Sequence, residues 1–314
     1  MEFTRILNGV ASRCLSFGEV SQYSTTSPEY LILVVPGNPG LIEYYRDFMS
    51  ELYLLLRNHF PSKKISVLGI SHGGHQIEGI EAPFPSVSEN PQLYDLYGQI
   101  KAKEELIRSL LETTKIILIG HSIGCKMLLE VLKTLPEELQ ARVVKSYMLF
   151  PTVERMRETP NGRRLWSILP YYPYGAYLFL PFFLLPGFIQ RFLLYLYFFV
   201  RSPPPCISNA TLQLFNKDVY LRILFLAKTE LTFVNELDVD TLKRFCKKIY
   251  FYFGTTDGWC PVSYVHGMVD RIPELQYEIC SRGFEHAFVI KNSKEMAGVL
   301  FPKIKDDIDG SDMQ

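Results

Sequence analysis

Short apolar runs alternate along this chain with longer stretches whose apolar positions recur every three or four residues. The short runs are residues 31–35, 65–70, 115–119, 143–150, 248–253 and 277–280. Runs of this length, apolar on both faces, read as strands buried inside a parallel sheet. The longer stretches, 44–58, 93–111, 123–132, 261–269 and 287–300, have the period of amphipathic helices. Strands alternating with helices predict an α/β fold, with a mostly parallel central sheet covered by helices on both faces. Residues 1–28 are mixed and polar, with a Ser/Thr-rich stretch at 21–27, and fit only short edge strands. The alternation breaks over 151–240 and then resumes. The expected organisation is a core of 1–150 and 241–302, an insertion at 151–240 forming a cap, and a loose polar tail at 303–314.

Gly120-His121-Ser122-Ile123-Gly124 lies between a predicted strand and a predicted helix. Gly-x-Ser-x-Gly in that setting is the nucleophile elbow of an α/β-hydrolase. The sharp turn leaves room only for small neighbours, which Gly120 and Gly124 supply. In this fold the chain order is nucleophile, acid, histidine. Asp257 follows the strand at 248–253, and His286 follows the strand at 277–280. A serine hydroxyl is a poor nucleophile at neutral pH, so His286 would take its proton, and Asp257 would orient the imidazole. Each also has a plainer reading, Asp257 as a turn cap and His286 as a residue at a helix start. Glu154 is an alternative acid, and Asp218 a weaker one. The oxyanion would face two backbone amides. One is Ile123, next to the nucleophile. The other is Asn38, in the loop Pro36-Gly37-Asn38-Pro39-Gly40, where Pro39 has no amide to offer. His72 and His75 read as structural or as lining the mouth of the site. His121 packs beside the serine, and His266 reads as structural.

Composition narrows the partners. Thirty-three basic and thirty-three acidic residues cancel, and no basic run is present, which argues against a nucleic-acid partner. Six cysteines are scattered without a Cys-x-x-Cys pair or a His/Cys cluster of zinc spacing, so reduced thiols are expected. The chemistry above requires neither a metal nor an organic cofactor. Residues 1–18 lack the pattern of a cleaved signal peptide.

The insertion is unusually greasy. No residue from Leu165 to Gln190 is charged, and after Arg191 the apolar run resumes to Val200. A spanning helix needs about 20 apolar residues, but Pro170, Pro173, Pro181 and Pro186 interrupt this one. Ser122 precedes the segment, while Asp257 and His286 follow it. All three must meet on one side of a membrane, so the segment crosses twice or not at all. Arg163, Arg164 and Arg201 flank it and place both ends in the cytosol. Prolines and tyrosines fit a shallow hairpin or interfacial helices at about 165–200. A buried cap touching no lipid is the plainer alternative.

The Pro36–Gly40 loop, the Gly120–Gly124 elbow, Asp257, His286 and the apolar insertion together resemble the lipid-droplet-associated hydrolase family. The resemblance runs over almost the whole chain. It implies a serine hydrolase of lipid droplets and endoplasmic reticulum, with its catalytic domain facing the cytosol and cholesteryl ester as substrate. The residues themselves support only an apolar acyl ester. Two other readings stand beside hydrolysis: a non-enzymatic or weakly active droplet-surface protein, and a lipid transacylase on the same fold. Epoxide hydrolysis is disfavoured, because it wants a carboxylate at the elbow.

Overall fold

Six parallel strands share one carboxyl edge, and the candidate residues lie in the loops beyond it. The computed structural model describes residues 1–314 except 21–27, 83, 111–112, 173, 175–179, 200–203 and 313–314. The eight strands are β1 (Glu2–Leu7), β2 (Val10–Phe17), β3 (Tyr30–Val35), β4 (Ile65–Ile70), β5 (Lys115–His121), β6 (Val143–Leu149), β7 (Ile249–Phe253) and β8 (Gln276–Ile279). They form one sheet in the order β1-β2-β4-β3-β5-β6-β7-β8. The first two make an antiparallel hairpin, and β2 runs antiparallel to β4. From β4 to β8 every pairing is parallel. Strands β3 and β4 are buried at every position, as expected of a sheet covered on both faces.

The helices are α1 (Arg46–His59), α2 (Leu96–Arg108), α3 (Ile123–Thr134), α4 (Glu137–Arg142), α5 (Pro160–Trp166), α6 (Leu180–Phe183), α7 (Gly187–Phe199), α8 (Pro205–Gln213), α9 (Lys217–Phe233), α10 (Val239–Phe245), α11 (Val262–Arg271) and α12 (Ser293–Asp312). One layer pairs α1 with α12, and the other pairs α2 with α3. Side-chain caps set several starts. Asp95 Oδ1 accepts from Gly98 N–H at 2.7 Å and opens α2 three residues later than the hydrophobic period suggests. Helices α5 to α10 fall between β6 and β7, where the alternation breaks.

Two expectations need correction. The closing helix begins at Ser293, not at 287; a short 3₁₀ turn, Phe288–Ile290, comes first. The tail expected to be loose from 303 is helical through Asp312. Ile304 and Ile308, one turn apart, are fully buried, and Pro302 is carried inside the helix. The end is pinned as well, since Asp312 accepts from Tyr30 Oη, Lys63 and Lys115, and Lys115 Nζ donates to the Ser311 carbonyl at 2.8 Å. The Ser/Thr stretch at 21–27 lies outside the described residues. So do Pro173, Tyr177, Val200 and Arg201 of the apolar insertion.

Candidate active site

Register brings the loops together. Val35 of β3 lies opposite Gly120 of β5, so the Pro36 loop and the elbow leave the sheet side by side. Ser122 turns at φ 54°, ψ −121°, a conformation that L residues rarely adopt. The glycines around it answer to space. A Cβ on Gly124 would stand 2.4 Å from the Val35 carbonyl oxygen, and one on Gly37 would stand 2.8 Å from Ser122 Cβ. Ile123 opens α3, so its amide is among the first-turn N–H groups that have no partner within the helix.

The structure brings Ser122, Asp257 and His286 into one line. His286 Nε2 lies 2.9 Å from Ser122 Oγ, and His286 Nδ1 lies 2.6 Å from Asp257 Oδ2. Ser122 and Asp257 are each 8% exposed, and the His286 side chain is partly exposed. Burial alone would raise the Asp257 carboxyl. Hydrogen bonds from His286, the Cys260 thiol and Trp259 N–H overcome that, and hold it below its ordinary value. Cys260 Sγ sits 2.9 Å from Oδ2, and Trp259 N–H donates to Oδ1 at 2.7 Å. Both oxygens thus accept hydrogen bonds, which hold the carboxylate facing the imidazole. Burial, then the neighbouring carboxylate, push the Cys260 thiol well above its ordinary value, so it stays a donor. Among the described residues, Asp257, Cys260 and His286 also have donor atoms within 4.8 Å of one another that could hold a metal. A metal there would take the imidazole nitrogen that Asp257 now orients.

Asn38 lies in the loop that passes Ser122. The Gly37 N–H before it is committed to Tyr45 Oη at 2.9 Å. His75 Nδ1–H donates to the Pro39 carbonyl at 2.7 Å, and His72 N–H donates to the Gly40 carbonyl at 2.8 Å. The two histidines are thus supports of this loop from the end of β4. Both are completely buried, and burial drives both rings below their ordinary value, His75 to about 3. They stay neutral at physiological pH.

The other candidates fall elsewhere. Glu154 is buried but spent: both its oxygens accept from Arg271 Nη2, at 3.2 and 3.0 Å, and Arg155 Nε donates at 3.0 Å. Asp218 is exposed at the start of α9. His266 lies on α11. His121 does more than pack beside the serine. Its Nε2 lies 2.8 Å from the His286 carbonyl oxygen and its Nδ1 lies 2.6 Å from Tyr45 Oη. Tyr45 and Cys260 were not singled out by motif, because their roles depend on which distant residues they touch.

A model of the family described as lipid-droplet associated hydrolase matches residues 28–289. Relatives named lipid droplet-associated hydrolase include one from Gallus gallus, 35% identical over 91% of this chain and 87% of its own length. Another, from Drosophila melanogaster, is 32% identical over 94% of each chain. Among solved structures, a thermophilic esterase from Thermogutta terrifontis covers 98% of this chain and 99% of its own at TM-score 0.60 and 14% identity. A haloalkane dehalogenase from Bradyrhizobium elkani covers 99% of both at TM-score 0.63 and 10% identity. At such low identity these neighbours show the fold alone, which is that of the α/β-hydrolases. The sequence matches go further, and on them the chain belongs to the lipid-droplet-associated hydrolase family.

Proposed function

We propose that this protein is a serine ester hydrolase acting on lipid esters, with a sterol ester as the leading candidate, at the cytosolic surface of lipid droplets and endoplasmic reticulum. The observation that carries the chemistry is the unbroken line from Ser122 Oγ through the His286 imidazole to Asp257, at 2.9 and 2.6 Å. His286 accepts the serine proton as Oγ attacks the ester carbonyl, and Asp257 stabilises the imidazolium. The oxyanion faces the amides of Ile123 and Asn38. Collapse of the tetrahedral intermediate breaks the ester C–O bond, and His286 returns the proton to the departing alcohol. Water then attacks the acyl-enzyme with His286 again as base, which releases the acid and restores Ser122.

The lipid assignment rests on a different surface. Most of the exposed large apolar side chains among the described residues lie between Ile168 and Leu196, with Leu184 and Phe188 each 73% exposed. A patch of that kind marks an interaction surface rather than ordinary solvent-facing protein. No helix among the described residues is long and apolar enough to cross a membrane. Shallow interfacial contact accounts for both facts.

The test is fatty-acid release from emulsified cholesteryl ester, triacylglycerol and a short-chain ester, comparing the parent with Ser122→Ala. The parent should release acid from at least one lipid ester, and the variant should lose roughly 10³-fold or more. Acid release unchanged by the substitution, or none from a folded parent on any ester, contradicts the proposal. Acyl transfer to an added alcohol in preference to water would instead identify a transacylase.

A further inference from the structure

Helix α9 closes over the loop that carries Asn38, and one of its side chains has no part in the chemistry described so far. Glu230 is 2% exposed, and its Oε1 is buried without a hydrogen-bond partner. The Asn38 side chain reaches this helix twice. Its Nδ2 donates to the Ile223 carbonyl at 3.1 Å, and the Glu230 carboxyl lies beside its amide, with Asn38 Oδ1 and Glu230 Oε1 each buried without a partner. Residues 223 and 230 are two turns apart on one helix face. A helix carbonyl points toward the C-terminus while side chains lean toward the N-terminus, so the two acceptors converge on a single amide.

We propose that Glu230 is a positioning residue of the acyl-transfer site, holding Asn38 from the cap side so that the Asn38 backbone amide stays aimed at the oxyanion, and that it does this as the uncharged acid. The proposal rests on the serine-hydrolase reading above.

The surroundings favour the uncharged form. Elements packed against α9 carry Lys101, Lys103, Glu104, Glu105 and Arg108 on α2, Arg157 and Glu158 on the turn before α5, and Arg163 and Arg164 on α5. Helix α9 itself carries Lys217, Asp218, Arg222 and Lys228. None of these charges bears on Glu230, whose shift has burial as its first cause and the opposing Asn38 amide as its second. Burial pushes the carboxyl up to about 8. Asn38 Oδ1 is a second buried acceptor without a donor, so a proton on the carboxyl also relieves a shortage of donors there. Ionisation has the opposite effect. It places a full negative charge behind the very amide that must stabilise a developing negative charge.

Glu230→Gln keeps the shape and cannot ionise. Glu230→Met keeps the length and cannot hold the amide. Turnover of a short-chain ester is measured for parent and both variants from pH 6 to 10, with melting temperature followed from pH 4 to 9. The parent should lose about tenfold in kcat between pH 7 and 9 on titration of one group near 8. Glu230→Gln should lack that alkaline limb. Glu230→Met should lack it too, with kcat below that of Glu230→Gln at every pH and KM unchanged. The melting curves supply a readout without catalysis. A carboxyl raised from 4.5 to about 8 on folding contributes stability in full below 4.5, and loses it as pH rises to about 8. The parent's melting temperature should therefore fall relative to Glu230→Gln across that window. An identical alkaline limb in Glu230→Gln, or a pH-independent melting difference, overturns the proposal and leaves the hydrolase reading standing. A folded parent with no turnover of the short-chain ester, cholesteryl ester or triacylglycerol at any pH overturns both.

Discussion

A short hydrogen-bonded chain joins the loop of Asn38 to the backbone of His286, and its direction is determined residue by residue. The His286 carbonyl can only accept, so His121 Nε2 carries the proton and donates to it at 2.8 Å. His121 Nδ1 is then an acceptor, and Tyr45 Oη–H donates to it at 2.6 Å. The Tyr45 oxygen in turn accepts from Gly37 N–H at 2.9 Å. Burial takes His121 down to about 3, so protonation does not break this chain at any physiological pH. In the proposed reaction it holds the oxyanion loop and the general base at a fixed spacing. Tyr45→Phe deletes one link, removing the donor to His121 and the acceptor for Gly37. We expect kcat for a short ester to fall roughly tenfold, about 1.4 kcal/mol, with KM nearly unchanged. A rise in KM alone would place Tyr45 in substrate binding instead. At this scale the sequence was legible where residue type and spacing mark candidates, as at Ser122, Asp257 and His286, which the fold brings within hydrogen-bond reach of one another. It was silent on Tyr45, Cys260 and Glu230. A buried tyrosine, thiol or carboxyl is ordinary until the fold shows that it touches His121, Asp257 or Asn38.

Among the elements, α7 departs most from an ordinary soluble helix. Phe188, Phe192 and Leu196 follow one another at one-turn intervals and are 73%, 57% and 51% exposed, while Leu194 is buried. The helix is therefore apolar on its outward side as well as its inward one. Lysine at all three outward positions should weaken binding to protein-free lipid droplets at least about 100-fold in flotation, since each apolar side chain contributes roughly 2 kcal/mol when buried. Unchanged flotation of a correctly folded triple variant would remove this helix from the lipid-contact surface. The greasy run and its prolines were visible in the chain, whereas the outward stripe was not, because a segment apolar all round does not say which side faces water. Helix α12 shows the converse. Its last turns are mostly polar and follow Pro302, so they read as a loose end. Only two apolar residues, Ile304 and Ile308, signal the burial, and Tyr30, Lys63 and Lys115 that pin the end come from far along the chain.

On the scale of the whole molecule, a parallel sheet gathers residues separated by 164 positions between Ser122 and His286. Strands β3, β5, β7 and β8 point the same way, so the loops after them open on one edge. The insertion leaves from that same side, after β6, and Asn38 bonds to its helix α9. Core and insertion thus meet at the candidate oxyanion loop, with the exposed apolar surface on the insertion. The parallel sheet and the place of the insertion were legible in outline from the alternation of runs, whereas the strand order was not, because right-handed crossovers narrow the topologies without choosing one. The antiparallel hairpin of β1 and β2 was not, because its mixed pattern carries no clear period. The central claim is that Ser122 is activated by His286. Covalent labelling with a fluorophosphonate probe tests it most directly, on the parent chain, Ser122→Ala and His286→Ala, each first shown to be folded by its melting transition. The parent should label, Ser122→Ala should not, and His286→Ala should label at least about 100-fold more slowly. A folded parent that fails to label both in detergent and on droplets, or a His286→Ala variant that labels as fast as the parent, would contradict it.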